Sequence, residues 1–409
     1  MPTKKETDND QTTTVPKSSS AATTKTVRQN DDNPQLEEST VITPHRVLAL
    51  YKFVKPQIPK ESLNSLQSEI ETACHNHHAK GTLLLAEEGI NGTISYPFSP
   101  SNNNNNNNNN NDSDENNDND DDDSLLTFLQ SKFDNALRIR ISSSDRAVFA
   151  RLKVRIKKEI VTMHWQETEE TNDNCPTASS GCTSCNPTEQ VGEYVKPHDW
   201  NRLILDPDTL LIDTRNEYEI DVGTFRNAIN PHTQSFVEFP DWMKDNLLLD
   251  KCDTDNNNNN NNDRHKVPKR IAMFCTGGIR CEKATSAGLQ LVPKDVPVYH
   301  LEGGILAYLN DIQPDQSLFE GDCYVFDQRV AVTYGLQPST IYQQSCHGCR
   351  HPLSNDDLKR DDFVKGVSCR YCSNSLTERK VERYAARQRQ IELALLGKET
   401  CHDIFLQNR

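Results

Sequence analysis

The segment Ile271-Ala-Met-Phe-Cys275-Thr276-Gly277-Gly278-Ile279-Arg280-Cys281 joins a short apolar run to a turn built on two glycines, and a helical pattern from Ala284 to Leu291 follows. Such a turn aims successive backbone N–H groups inward at the positive end of a helix dipole. A cysteine placed there is stabilised as the thiolate, so its pKa falls and it becomes nucleophilic near neutral pH. Cys275 is therefore the candidate catalytic residue. Thr276, Gly277, Gly278 and Ile279 form its anion-binding loop, and Arg280 adds a fixed positive charge. An inert core cysteine, a common fate of this residue type, needs neither the glycines nor the arginine. Cys281 is either a resolving thiol for an oxidised Cys275 or a small residue that begins the helix. Asp213 and Arg215 fall at the end of another strand, where parallel sheets gather ligands; the alternative is an ion pair that braces the loop.

A second group is Cys346-His-Gly-Cys349 with Cys369-Arg-Tyr-Cys372, two C-x-x-C knuckles nineteen residues apart. They supply a closed tetrahedral thiolate set, which predicts a structural zinc with no open position for catalysis. Two disulfides fit a cytoplasmic chain poorly, and His347 and His351 are surplus to four thiolates. Cys182-Thr-Ser-Cys185, with Cys175 upstream, lies in an acidic stretch without a second knuckle and reads as solvated thiols. Arg151, Lys153, Arg155 and Lys157 alternate along a strand-like run, a row of charge at ~6.6 Å intervals that suits successive phosphates. Arg379, Lys380, Arg383, Arg387 and Arg389 form a second stripe on a helix. Each stripe alone reads first as an ordinary solvated face; the two together, in a chain whose folded remainder is positive, leave an RNA-binding face and a solvated one as equal alternatives. No Gly-x-Gly-x-x-Gly fingerprint for NAD or flavin occurs, nor an evident two-histidine, one-carboxylate set for non-haem iron.

The elements that must hold these groups fall into separate folded pieces. Val47 to Phe53 is strand-like, Leu63, Leu66, Ile70 and Ala73 recur at helical spacing, and Gly81 to Ser95 carries turn glycines. Leu125 to Phe133 predicts a helix and Arg151 to Ile160 a half-exposed strand. That order predicts a small α+β sandwich over 45–165, interrupted by an unstructured insertion at 101–124. After a linker at 166–193, the short apolar runs Leu210 to Thr214, Arg270 to Phe274 and Val296 to Leu301 alternate with helical stretches. They predict a parallel sheet covered on both faces over 194–335, with a second insertion at 252–263. Residues 336–409 hold the cysteine knuckles and a charged helix, Glu378 to Leu396.

Composition agrees with this division. Only 34% of the 409 residues are hydrophobic, so not all of the chain is folded and one compact domain is excluded. The asparagine runs Asn102 to Asn111 and Asn256 to Asn262 cannot bury apolar area to offset ordering entropy. No apolar run long enough to cross a bilayer and no signal-like leader is present, which makes the cytoplasm the default expectation. The net charge is −15, but 1–44, 101–124, 167–190 and 252–263 carry −18 between them. The folded remainder is thus about +3, and an acidic total does not exclude an RNA partner.

The stretches Leu211-Ile-Asp213-Thr-Arg215-Asn-Glu217, Gly223 to Pro231, Cys275 to Arg280 and Leu301-Glu-Gly-Gly304 resemble a rhodanese domain, in which the cysteine that opens the loop carries a persulfide. Related phosphatases use a loop one residue longer, so a phosphatase is disfavoured. The resemblance widens through Gly81-Thr-Leu-Leu-Leu-Ala-Glu-Glu-Gly89-Ile-Asn91-Gly-Thr93, Arg151 to Val161 and Gly321-Asp-Cys-Tyr-Val-Phe-Asp327-Gln-Arg329. Together these resemble the tRNA uridine hydroxylases, oxygen-dependent enzymes with a rhodanese domain, over about Val47 to His402. The resemblance implies 5-hydroxyuridine at the wobble position of tRNA, dioxygen as co-substrate, a required Cys275 and an acylphosphatase-like N-terminal domain. The N-terminal tail and the three acidic insertions depart from the family pattern. A sulfurtransferase moving sulfane sulfur through Cys275 is one alternative, and a zinc-containing RNA-binding adaptor without catalysis is another. The oligomeric state is not legible.

Overall fold

The computed structural model describes residues 44–98, 124–165, 185–247 and 268–407, with side chains to residue 394. The asparagine runs, the N-terminal tail through residue 43, Cys175 and Cys182 lie outside the described residues.

The first layer begins with β1 (His45–Phe53), α1 (Leu63–Asn76), β2 (Lys80–Ala86), β3 (Gly89–Pro97), α2 (Ser124–Ser131), β4 (Arg138–Ser144) and β5 (Leu152–Ile156), and its sheet runs β4-β1-β3-β2-β5. Because side chains alternate across a strand, each strand serves two purposes. Leu48, Leu83, Leu85, Ile90 and Ile94 turn toward Leu63, Ile70, Leu125 and Leu129 of the helices and form one core. Ala49, Tyr51, Thr82, Leu84, Asn91 and Thr93 turn the other way and line a cavity.

Next come β6 (Glu193–Val195), α3 (Pro197–Ile204), β7 (Thr209–Asp213), α4 (Glu217–Ile220), β8 (Gly223–Phe225), α5 (Phe239–Leu247), β9 (Arg270–Phe274), α6 (Ile279–Leu291), β10 (Val298–Leu301) and α7 (Gly304–Asp311). Their principal sheet, β6-β10-β9-β7, is parallel throughout. Met243 of α5 and Ala284 and Ala287 of α6 pack with Ile271 and Met273 on one face. Trp200 of α3 and Ile305 and Leu309 of α7 pack with Ala272 and Phe274 on the other. The near-continuous apolar reading of β9 follows from this burial on both sides.

Beyond lie β11 (Phe319–Gly321), which pairs with β8, then β12 (Cys323–Tyr324) with β13 (Ala331–Val332), and the hairpin β14 (Tyr342–Ser345) with β15 (Pro352–Ser354). The chain ends in α8 (Glu378–Gln407). Among the described residues no helix is long and apolar enough to cross a membrane.

Two expectations change. The run from Arg151 to Ile160 is a strand only over Leu152–Ile156, because Glu159 and Ile160 turn to meet other groups. A strand that the sequence reading passed over, β4, pairs with β1 along its whole length.

Candidate active site

Cys275 follows β9 and Gly278 caps α6 at its N-terminus with φ near +100°, a left-handed conformation open to glycine at little cost. That turn brings the Gly278 N–H onto the Cys275 sulfur at 3.1 Å. Burial opposes the Cys275 thiolate most strongly, but the Cys281 thiol, the Arg280 charge and the amides of Cys281 and Gly278 outweigh it, so the Cys275 pKa falls below its ordinary value. Cys281 moves the other way: burial and the adjacent Cys275 raise it. It stays a protonated donor to its neighbour, with Thr214 Oγ1 at 3.7 Å on its other side.

Arg280 is held by a carboxylate that sequence reasoning missed. Its Nη1 and Nη2 donate to Glu219 Oε2 and Oε1 at 2.6 and 2.8 Å, and Nη2 also reaches Thr276 Oγ1 at 3.2 Å. Glu219 is fully buried. Burial alone would raise its pKa, yet the charges of Arg280 and Arg215 and the Asn216 amide lower it. The one available sequence signal was the capping box from Asn216 to Glu219 at the start of α4. Asp213 and Arg215 form an ion pair: both are fully buried, joined at 2.7 Å, with Arg215 also donating to the carbonyl of Gly223 at 2.6 Å. Neither lines the cavity.

The loop forms the floor of a cavity of about 850 Å³ whose opposite wall is the first sheet. Cys275 is itself 0% exposed, but open space lies above Gly277, where an added Cβ would have no neighbour within 4 Å. Two buried clusters join the layers here. Tyr51 donates to Glu282 at 2.8 Å, and Arg138 reaches Glu282 at 3.2 Å and Glu302 at 3.5 Å. Lys283 bridges Glu88 at 3.0 Å and Glu159 at 2.6 Å. These pairs span more than 120 residues of sequence, and nothing local to either partner announces them.

The cysteine knuckles converge. Sulfur separations are 3.7 Å for Cys346 and Cys372, 3.6 Å for Cys349 and Cys369 and 4.0 Å for Cys369 and Cys372, and all four atoms lie within 4.8 Å of one another. A tetrahedron with metal–sulfur bonds of ~2.3 Å has edges of ~3.8 Å, so this group can hold a metal ion. Cys185 instead donates to the carbonyl of Lys283 at 3.0 Å.

On and beside β5, Arg151, Arg155 and Lys157 are exposed and Lys153 half-buried, Arg151 and Lys157 flanking the strand. Arg151 first, then burial, Arg155 and Arg350, push the Lys153 pKa down. Burial and then Arg387, Arg350 and Arg383 do the same to His347. Arg350 acts on both groups.

A family profile described as the UPF0176 acylphosphatase like domain matches residues 45–160. A tRNA uridine(34) hydroxylase from Acaryochloris marina is 41% identical over 349 residues, 85% of this chain and 92% of its own. The chain belongs to the tRNA uridine(34) hydroxylase family. A member from Rhizobium leguminosarum bv. trifolii is 40% identical over 87% of this chain and 95% of its own. Among solved structures, a Rhodopseudomonas palustris protein of unknown function, described as a possible tyrosine phosphatase, overlaps 29% of this chain at 19% identity and a TM-score of 0.21, too slight a likeness to argue from. In this tRNA uridine(34) hydroxylase family member, the first layer is therefore an acylphosphatase-like domain, followed by a parallel sheet.

Proposed function

We propose that this protein hydroxylates uridine 34 of tRNA at C5, with Cys275 as the reacting sulfur and dioxygen as co-substrate. The observation that carries the reading is the Cys275 sulfur accepting the Gly278 N–H on the floor of a nucleotide-sized cavity, in a chain matched over most of its length by hydroxylases of that name. A thiolate adds to C6 of a uracil ring, the S–C6 bond forming as the C5=C6 pair moves toward C5 and O4. C5 then takes an oxygen atom derived from dioxygen. Loss of the C5 proton and expulsion of the thiolate restore the double bond. The second oxygen atom leaves as water, its two reducing equivalents drawn from a thiol reductant. Arg280, held by Glu219, favours the thiolate before addition and after expulsion.

The parallel-sheet region, 194–335, serves as a rhodanese domain in this reading, and Arg151, Lys153, Arg155, Lys157, Arg383 and Arg387 contact the tRNA backbone. Cys346, Cys349, Cys369 and Cys372 hold a structural zinc that pins the 336–409 module; the ion supplies rigidity and takes no part in the chemistry. Cys349→Ser or Cys372→Ser is expected to release about one equivalent of metal and to unfold that module alone. Atomic absorption alongside circular dichroism checks it, and retained metal would contradict the site.

Nucleoside analysis of position 34 in tRNA from cells lacking the protein tests the reading. Loss of 5-hydroxyuridine supports it. Loss of thiolated uridine, or thiocyanate formation by the purified protein, would assign a sulfurtransferase instead. An unchanged nucleoside would leave a non-catalytic adaptor.

A further inference from the structure

Around the cysteine loop, every arginine but one is matched to a carboxylate. Arg215 pairs with Asp213, Arg280 with Glu219, Arg138 with Glu282 and Glu302, and Arg329 with Asp327. Arg140 lines the same cavity, half-buried, and among the described residues its side chain makes no ion pair or hydrogen bond. The lining carboxylates do not serve it: Glu302 and Asp327 are taken, and Asp311 accepts the side-chain amide of Asn310. Lys196 also lines the cavity without a carboxylate partner, but it is exposed.

The strand period sets where Arg140 stands. Arg138, Arg140 and Ser142 share one face of β4. The outer two are fixed, Arg138 as above and Ser142 by Arg329 Nη1 at 2.9 Å. Between them the Arg140 guanidinium lies on Gly303, where an added Cβ would clash with its Nη2. Gly303 abuts the loop in turn: a Cβ on Gly278 would sit 3.6 Å from the Gly303 nitrogen. The neighbouring amides of Ile305 and Leu306 donate to the carbonyls of Cys275 and Thr276 at 2.9 and 3.0 Å. One glycine therefore separates an unpaired guanidinium from the loop that holds the thiolate. Such a group has five donors and no acceptor, and its planar fork suits a phosphate.

Phe326 is the second unexplained group. It lines the cavity while 60% exposed, with its ring edge-on to Tyr324 at 5.2 Å and the Arg280 guanidinium 6.0 Å from its centre. Arg329, three residues on, is the residue that grips Ser142, so Phe326 and Arg140 are tied to the same junction. Exposed aromatic faces in RNA sites receive unstacked bases.

We propose that Arg140 and Phe326 form a two-point grip on one extruded RNA nucleotide, the guanidinium taking its phosphate and the ring stacking its base, which turns the edge of the uracil toward Cys275. The grip rests on the reading of this protein as an RNA uridine hydroxylase. A loop nucleotide can be extruded at little cost because it is already unpaired.

The probe is an anticodon stem-loop RNA with uridine at the wobble position, titrated by fluorescence anisotropy over a range of salt. Arg140→Ala is expected to weaken binding about tenfold and to lower the salt slope by about one phosphate contact, and Arg140→Lys to restore the slope. Phe326→Ala is expected to weaken binding about tenfold at unchanged slope. In Phe326→Trp the added emission is quenched by this RNA and not by one abasic at the wobble position. Wild-type affinity and slope in Arg140→Ala, or indole emission indifferent to the base, would overturn the grip. If the wild-type protein hydroxylates the RNA while those variants behave as wild type, the grip alone fails. If the variants lose binding as stated but no wild-type hydroxylation occurs, the hydroxylase reading fails and the grip stands.

Discussion

Cys275→Ser is expected to lose at least about a thousandfold in hydroxylation, on the scale seen when a nucleophile is deleted, while its melting temperature stays close to that of the wild type. Serine nearly matches cysteine in size and can still accept the Gly278 N–H that now meets sulfur at 3.1 Å. It differs in ionisation, because the groups that hold the thiol below its ordinary pKa leave an alcohol protonated. The direction of that shift fixes a companion result. A thiolate is present above the lowered pKa and lost as pH falls through it, so inactivation by iodoacetamide should decline only at pH values below those for a free cysteine. Burial makes this alkylation slow in absolute rate without moving its midpoint. Full turnover in the serine variant, or an alkylation profile centred on the ordinary cysteine range, would remove Cys275 from the chemistry.

What the sequence made legible depends on how far apart the cooperating residues lie. Cys275, Gly278 and Arg280 sit within six positions, and their strand, turn and helix are local events with local signals. The knuckles carry their own spacing. β7, β9 and β10 are legible because burial on both faces leaves nearly unbroken apolar runs. β4 escaped because Arg138-Ile-Arg140-Ile141 is a short alternation between a helix and a serine run, and half of its charged residues find partners only across the cavity. The Arg280 partner escaped for the same reason. Glu219 lies 61 residues upstream, and a single acidic residue in a short helix does not announce that it will be buried beneath a cysteine loop. Asp213 and Arg215 were legible as a pair that either gathers a ligand or braces the loop, and the sequence did not place them relative to the cavity, since their separation from it is a property of the packed sheet.

That hidden carboxylate sets up the other large effect. Glu219→Gln leaves Arg280 buried without its counter-ion, while Arg215 keeps Asp213. Removing one member of a buried pair costs about 3–5 kcal/mol, largely from the charge left behind, and that loss is expected in chemical denaturation. The pH dependence has a definite sign. The Glu219 pKa is lower in the folded state than unfolded, so its contribution to stability is present above the unfolded carboxylate value and lost as pH falls through the folded one. The variant should therefore be flatter than wild type across the acidic range. A paired replacement separates structure from chemistry. Glu219→Leu with Arg280→Leu removes both charges, and such exchanges are often close to neutral, so most of the lost stability should return. Activity should not return, because the guanidinium that favours the Cys275 thiolate is gone and the alkylation midpoint should move up toward the free-cysteine range. A double variant that regained both stability and turnover would show that the Arg280 charge only braces the loop and leaves the ionisation of the sulfur to the peptide amides and Cys281.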